Sequence, residues 1–329
     1  MNPILKKSCQ LPDGREITIE TGKLARQADG AVVLRMGNTM ILATAVAMQQ
    51  HKEGADFLPL SVDYQEKFAS TGKIPGGFLK REGKLSDYEV LISRLVDRAI
   101  RPMFPDDYHA ETQVSIQLIS GDHNALPDAL AAFAASAALS ISDIPFYTPI
   151  SEVRVARVNG QFIINPTLEQ KDAADLDFIV AASLENILMV KGEAKEINEA
   201  DMLEALKLAH SAIKVQCNLQ LEMAKELGKT EKRTYNHEEK DENLKAELHT
   251  LLYPKVYEVA RQQLTSKHKR SELFHQIIDE YMASLPEDTT ISKDLVKRYY
   301  KSIQKEACRN LVLNEKVRLD GRKTNEIRP

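Results

Sequence analysis

Glycine and proline divide this chain into two regimes. Ten of the 14 glycines lie at or before Gly121, whereas between Glu193 and Asp320 there are one glycine, Gly228, and two prolines, Pro254 and Pro286. Glycine supplies tight turns and close backbone approaches, and proline interrupts helices, so a stretch almost free of both favours long helices. The first part is expected to be turn-rich and mixed α/β, the later part helical. A length of 329 residues suits two or three domains.

Within the first part, Ile17-Thr18-Ile19-Glu20, Ala31 to Leu34, Met40 to Val46 and Val114 to Ile119 read as strands, apolar or alternating. Gly37-Asn38-Thr39 reads as the tight turn between two of them. Asp128 is expected to cap a buried, alanine-rich helix running to Leu139. Val153 to Val158, Gln161 to Ile164, Phe178 to Ala182 and Ile187 to Val190 add strands, and Glu199 to Leu227 gives a long amphipathic helix. A mixed sheet with helices packed on it fits this order, an α+β fold. Glu231 to Asn243 is charged and reads as a linker or a frayed helix start. Leu244 to Leu313 reads as helical, broken at Pro254 and near Pro286.

Composition narrows the functional classes. Apolar residues make up 43% and charged residues 28%, ordinary for a soluble globular protein. No apolar run approaches the ~18 residues of a membrane span, and Met1 to Gln10 lacks the apolar core of a signal peptide. The three cysteines, Cys9, Cys217 and Cys308, are far apart with no metal spacing, which suits reduced thiols in the cytoplasm. A net charge of −4 argues against a general nucleic-acid coat, so any such contact must be focused on a patch.

One patch stands out. Gly76-Gly77-Phe78-Leu79-Lys80-Arg81-Glu82-Gly83 is a glycine-bounded loop presenting an aromatic beside two cations. Ser86-Asp87-Tyr88-Glu89 follows with the form of a capping box, and Pro102 closes the helix that it opens. In that helix Arg94, Arg98 and Arg101 share one face, and Leu91, Ile92, Leu95, Val96 and Ala99 fill a neighbouring face expected to pack on a core. From Lys73 to Arg101 there are seven Lys/Arg and four Asp/Glu, a local excess of positive charge. Phe78, Lys80 and Arg81, with Arg94, Arg98 and Arg101, are therefore candidate contacts to single-stranded RNA, whose backbone suits arginine forks and whose bases suit an aromatic platform. The bland alternatives are a solvated turn for the loop and ion pairing for the arginines, with Asp97 three residues from Arg94 and four from Arg101.

These same residues carry a family resemblance. The loop, followed by Ser93-Arg94-Leu95-Val96-Asp97-Arg98 and Ile100-Arg101-Pro102, resembles the first core domain of bacterial polynucleotide phosphorylases, where the loop usually reads Phe-Phe-Arg-Arg-Glu-Gly and grips RNA at the entrance of a trimeric ring. Leu79 stands here for the second Phe and Lys80 for the first Arg, so one stacking platform is lost while the charge is kept. The resemblance covers essentially the whole chain. It implies a ribonuclease PH-like core over residues 1–230, a small all-α domain over 236–314 and, at 317–329, the start of a second such core. There Leu319-Asp320-Gly321-Arg322 echoes Leu11-Pro12-Asp13-Gly14-Arg15.

The activity implied is a polyribonucleotide nucleotidyltransferase, a phosphorolytic 3′–5′ exoribonuclease of mRNA turnover. It releases nucleoside diphosphates, with inorganic phosphate as co-substrate, Mg2+ as cofactor and a cytoplasmic homotrimer as the functional unit; helicase or endonuclease partners stay open. The family places catalysis and metal in the second core, so no catalytic or metal residue is expected in this chain. The fragment alone is expected to be inactive and at most weakly associated. Two rivals stand beside this reading: a non-catalytic RNA-binding ring subunit, and a stand-alone ribonuclease PH that trims tRNA. The helical segment and the Leu-Asp-Gly-Arg restart speak against the second.

Other chemistry is sparse. Glu169 and Asp175 lie six apart before Leu176-Asp177-Phe178, similar to the spacing of the family's metal-binding aspartates; the residues themselves favour a solvated turn leading into a strand. Asp122, His123 and Asp128 read as turn and cap residues. The eight histidines show no zinc spacing, no serine sits in a nucleophile elbow, and Gly72 to Gly77 matches neither a phosphate loop nor a dinucleotide fingerprint.

Overall fold

A computed structural model describes residues 4–50, 57–76, 83–235, 240–286 and 291–328. It divides into two compact units, Met1–His237 and Glu238–Pro329.

The first unit opens with four strands in meander order: β1 (Leu5–Gln10), β2 (Glu16–Thr21), β3 (Gly30–Met36) and β4 (Thr39–Ala47). Met36 pairs with Thr39, so β3 and β4 are joined by the two-residue turn Gly37-Asn38, with Gly37 at φ +59°. β5 (Leu60–Glu66), α1 (Asp87–Ile100) and β6 (Thr112–Ser120) follow. The six strands lie in the order β1-β2-β3-β4-β6-β5, antiparallel except for the β5–β6 pair. α2 (Pro127–Ser140) comes next. The second sheet is built from β7 (Ser151–Val158), β8 (Gln161–Ile164), β9 (Leu176–Ala182) and β10 (Ile187–Ala194), in the antiparallel order β10-β9-β7-β8. α3 (Leu168–Asp172) lies between β8 and β9, and α4 (Glu199–Glu226) closes the unit.

α2 is the hub. It packs on β3, β4 and β6 of one sheet and on β7 of the other, and every residue in it is buried. Alanine makes that possible, because small side chains on all faces let both sheets approach. A Cβ on Gly30 of β3 would lie 2.0 Å from the Ala138 carbonyl oxygen, so this glycine is what the close approach requires. The cap differs from expectation. Leu126 is the N-cap, Pro127 opens the helix, and Asp128 sits inside the first turn, 3% exposed, with its carboxylate turned to Arg154.

The segment after α4 is not a free linker. Lys232 Nζ donates to the carbonyl oxygens of Leu139, Ser140 and Ser142 at 3.3, 2.9 and 2.7 Å, at the C-terminal end of α2, where a cation also suits the helix dipole. Arg233 pairs with Asp29 and Asp143 and donates to the Ala47 carbonyl. Tyr235 donates to Asp107 at 2.8 Å and packs edge-on against Tyr108. Residues 231–235 are thus a strap buckled onto the core, correcting the linker reading for this stretch.

Among the described residues the second unit holds three helices, α5 (Glu242–Arg261), α6 (Lys267–Ser284) and α7 (Lys293–Glu315), around their own core. Pro254 does not break the chain, contrary to the sequence reading; it lies inside α5. A mid-helix proline costs about 3 kcal/mol. Leu244, Leu248, Leu252, Val256 and Val259, a buried stripe on α5 spanning both sides of Pro254, supply packing that opposes the break.

The two Asp-Gly-Arg segments fold alike. Leu11 N–H donates to the Arg15 carbonyl and Gly14 N–H to the Leu11 carbonyl; Arg318 N–H donates to the Arg322 carbonyl and Gly321 N–H to the Arg318 carbonyl. Gly14 and Gly321 both have φ +85°, and in each turn the aspartate accepts from the backbone N–H and Nε of the arginine two residues on.

Candidate nucleic-acid interface

α1 begins where its sequence says it must. Ser86 accepts from the Glu89 N–H at 3.2 Å and Glu89 returns a carboxylate to the Ser86 N–H at 2.7 Å, closing the capping box. The other Glu89 oxygen accepts from the Glu66 N–H at 2.8 Å, and Ser93 Oγ accepts from the Tyr64 N–H at 2.9 Å. Two side chains of α1 therefore pin it to β5, an edge strand. Burial opposes charge on Glu89, but the N–H groups of Glu66 and Ser86 outweigh it and hold the carboxyl below its ordinary value.

Arg94 and Arg98 of α1 and Arg101 just past its end part ways. Arg94 and Arg98 are exposed and have no hydrogen-bonded or ionic partner among the described residues. Arg101 is committed inward. Its guanidinium forks onto Asp97 at 2.6 and 3.1 Å and donates to the carbonyls of Leu58 and Leu60 at 3.0 and 3.1 Å. It holds the approach to β5 against α1. Phe78, Lys80 and Arg81 lie outside the described residues; the loop is described only at its flanks, Gly76 and Gly83. Leu91, expected in the core, is 39% exposed.

Leu91 lines a cleft of about 350 Å³ between α1 and the second sheet, with Tyr88, Leu95, Ile179, Lys171 and Lys191 on its walls and Asp128, Arg154 and Asp177 also lining it. Arg154 binds both Asp177 oxygens at 2.6 Å through Nε and Nη2, and its Nη1 donates to Asp128. Beside them Glu152 is 1% exposed, and neither of its carboxylate oxygens has a hydrogen-bond partner among the described residues. Burial, reinforced by the Asp128 charge, raises the Glu152 carboxyl well above its ordinary value. The sequence reading missed this cluster. Its signal was present, since Glu152, Arg154 and Arg157 put both signs of charge into an otherwise apolar strand.

On the opposite face of β7, Arg157 forks onto Asp175 at 2.9 and 2.7 Å and also pairs with Asp201. That hydrogen bonding holds the Asp175 carboxyl below its ordinary value. Glu169 is exposed on α3. Both Asp175 oxygens are occupied by a guanidinium, so this pair does not fit a magnesium ion. Among the described residues no group of three or more His, Cys, Asp or Glu side chains could hold a metal, and no helix is long and apolar enough to cross a membrane.

Comparison with known proteins places this architecture. The family described as "3′ exoribonuclease family, domain 1" matches residues 13–145, and its domain 2 matches residues 148–212. The chain belongs to this ribonuclease PH-like exoribonuclease family. Within it, the description "Polyribonucleotide nucleotidyltransferase, RNA binding domain" matches residues 243–323. The chain is 57% identical over 326 residues to the polyribonucleotide nucleotidyltransferase of Cytophaga hutchinsonii, covering 99% of this chain and 46% of the relative. It is 56% identical over 330 residues to that of Bacteroides fragilis, covering 100% and 46%, and 54% identical over 327 residues to that of Porphyromonas gingivalis, covering 99% and 44%. The chain spans just under half the length of these relatives. Among solved structures, a chain of an Archaeoglobus fulgidus exosome with RNA bound to the active site aligns with a TM-score of 0.49 at 15% identity, covering 62% of this chain and 90% of that one.

Proposed function

We propose that this chain is the part of a phosphate-dependent 3′–5′ exoribonuclease that receives single-stranded RNA and builds the ring around it. The observation that carries this reading is 57% identity to a polyribonucleotide nucleotidyltransferase over 99% of the chain. In the whole protein an oxygen of inorganic phosphate attacks the phosphorus of the RNA 3′-terminal linkage. The P–O3′ bond breaks, a nucleoside diphosphate leaves, and the shortened RNA keeps a free 3′ hydroxyl. Such transfer depends on positioning and on charge stabilisation of the phosphoryl group.

In this chain Arg94 and Arg98 supply guanidinium groups with no partner among the described residues, and with Phe78, Lys80 and Arg81 they are the groups assigned to RNA entry. Arg101 supports them by fixing α1 to β5. The magnesium ion belongs to a second core, a division supported by Asp175 and Asp177 both being held by arginines. Residues 1–230 form the first core, 236–314 the all-α domain and 317–329 the start of the second core. Support for that last assignment is the repeated turn at Arg15 and Arg322. The working assembly is a cytoplasmic homotrimer.

The test is the full-length protein incubated with oligo(A), magnesium and phosphate. ADP is the expected product, with none formed when phosphate is omitted. AMP as the product, or phosphate-independent shortening, overturns the reading.

A further inference from the structure

The entrance assigned to Arg94 and Arg98 makes no use of the cleft between α1 and the second sheet, and packing does not account for it. Its volume of about 350 Å³ lies at the small end of the range for ligand pockets. Tyr88, Leu91, Leu95 and Arg98 follow at steps of three, four and three residues, one stripe of α1. Leu95 and, on β9, Ile179 are buried, whereas Tyr88 and Leu91 stay 41% and 39% exposed. Two large neighbouring side chains are thus left open to solvent at a concavity instead of closing it.

The polar groups of the cleft are incompletely used. A carboxylate offers about four acceptor sites. Asp177 accepts twice, both times from Arg154, and Asp128 accepts from the Ala129 N–H and from Arg154. Both carboxylates are buried, and each keeps acceptor sites that no donor fills among the described residues. The Tyr88 hydroxyl and the ammonium groups of Lys171 and Lys191 have no partner among those residues either. These groups define a ligand. Apolar walls call for a flat apolar body, and the spare carboxylate sites for N–H donors at its inner edge. Lys171 and Lys191 call for negative charge at its outer edge, and Glu193, on the same strand as Lys191, for a hydroxyl. Inorganic phosphate alone meets the lysines but gains nothing from the walls and is repelled by Asp128 and Asp177. A small cation meets the carboxylates and is repelled by the lysines.

We propose that this cleft is a nucleotide pocket: the base lies against Tyr88 and Leu91, an exocyclic amino group donates to Asp128 or Asp177, and the phosphate meets Lys171 and Lys191. Adenine, cytosine and guanine carry such an amino group. Uracil presents carbonyl oxygens in its place, which face the carboxylates unpaired. The pocket therefore selects against uracil. This deepens the functional reading above and rests on it only for the source of the nucleotide. That source is either one unit of the entering strand, brought alongside by Arg98 on the same stripe of α1, or a released nucleoside diphosphate.

The test is calorimetric titration of ADP, CDP and UDP into the 329-residue chain. It is separate from ADP formation by the full-length protein, so it judges the pocket whether or not phosphorolysis is found. ADP and CDP should bind, with UDP weaker on the order of tenfold, and inorganic phosphate should not compete. Lys191→Gln should weaken ADP severalfold, and Leu91→Glu, which sets a carboxylate at the mouth, should abolish binding. Both positions are exposed, so melting temperature should change little, which separates a lost site from a lost fold. Competition identifies the source. Displacement of ADP by oligo(A) and not by oligo(U) supports the pocket with a strand unit as its occupant. Displacement by neither, with ADP still bound, supports it with the free nucleotide. Equal binding of ADP and UDP, no binding of ADP at about 1 mM, or ADP binding unchanged in both variants overturns the pocket.

Discussion

Arg154 and Asp177 meet fork to fork, with both N–H to carboxylate distances at 2.6 Å, across two paired strands of the second sheet. Their side chains are only 12% and 11% exposed. Asp128 accepts from the far side of the same guanidinium, and Glu152 lies on the same strand two residues from Arg154. Removing Asp177 deletes two of the guanidinium's hydrogen bonds and leaves Asp128 as its remaining partner. Asp177→Ala is therefore expected to destabilise the chain by about 1.5–3 kcal/mol, measured by urea denaturation. A loss below 1 kcal/mol would show that water reaches Arg154.

Glu152 gives a pH signature. Its folded-state carboxyl is raised by burial and by the Asp128 charge, so the folded chain holds this proton more tightly than the unfolded one. The stability that it contributes is fully present below the ordinary value of 4.5 and is lost as pH rises through the raised one. Glu152→Gln keeps the shape and cannot ionise. Its stability profile should be flatter above pH 4.5 than the parent's and should lie above it at pH 8. Parallel profiles in thermal melts from pH 4 to 8 would count against this account.

Arg94, Arg98 and Arg101 should separate by experiment. Arg94→Ala/Arg98→Ala removes exposed groups without partners among the described residues, so stability should change by less than ~0.5 kcal/mol. Oligo(A) binding should weaken, with the salt slope reduced by ~1.4 for two lost phosphate contacts. Arg101→Ala removes the hydrogen bonds to Leu58, Leu60 and Asp97, and should cost about 1–3 kcal/mol while leaving the salt slope in place. The opposite pattern would return Arg101 to the RNA surface and make Arg94 and Arg98 bystanders.

The strap at residues 231–235 yields a local test. Lys232 carries three carbonyl acceptors at the end of α2. Lys232→Met keeps the stem and deletes the charge, leaving those carbonyls short of donors, at a cost of about 1–3 kcal/mol. Hydrogen exchange should rise at Arg233, whose N–H donates to the Asp143 carbonyl, and at Ser142. Unchanged protection there would mean that Arg233 and Tyr235 hold the strap alone.

What the sequence disclosed and what it hid follow one division. The capping box of α1, the Gly37-Asn38 turn and the buried alanine helix are set by neighbours in the chain, and each was readable. Pro254 was misread because packing on the all-α core overrides a local breaker. The strap was misread because its partners are remote; Arg233 reaches Ala47, 186 residues away in sequence. β1 went unread because Leu5-Lys6-Lys7-Ser8-Cys9-Gln10 buries only one face, and that one partly. For the candidate interface, the sequence marked Arg94, Arg98 and Arg101 as one stripe. It could not tell that Arg101 turns inward, since two of its acceptors are carbonyls at Leu58 and Leu60, more than 40 residues away.

The last prediction is that this chain alone releases no nucleoside diphosphate. Phosphorolysis needs a phosphate pocket, a metal site and an RNA 3′ end within reacting distance. Of Glu169 and Asp175, the pair with the family-like spacing, Asp175 is engaged elsewhere, as is the neighbouring Asp177. Asp175 is forked by Arg157 and Asp177 by Arg154, and freeing either for a metal would strand a guanidinium. Glu169 is left exposed on α3. Incubation of the 329-residue chain with oligo(A), magnesium and phosphate, followed by chromatography, should show no ADP, whereas the full-length protein under the same conditions should produce it. ADP from the chain alone that disappears in Glu169→Ala or Asp175→Ala would overturn the division of labour and make this first core catalytic.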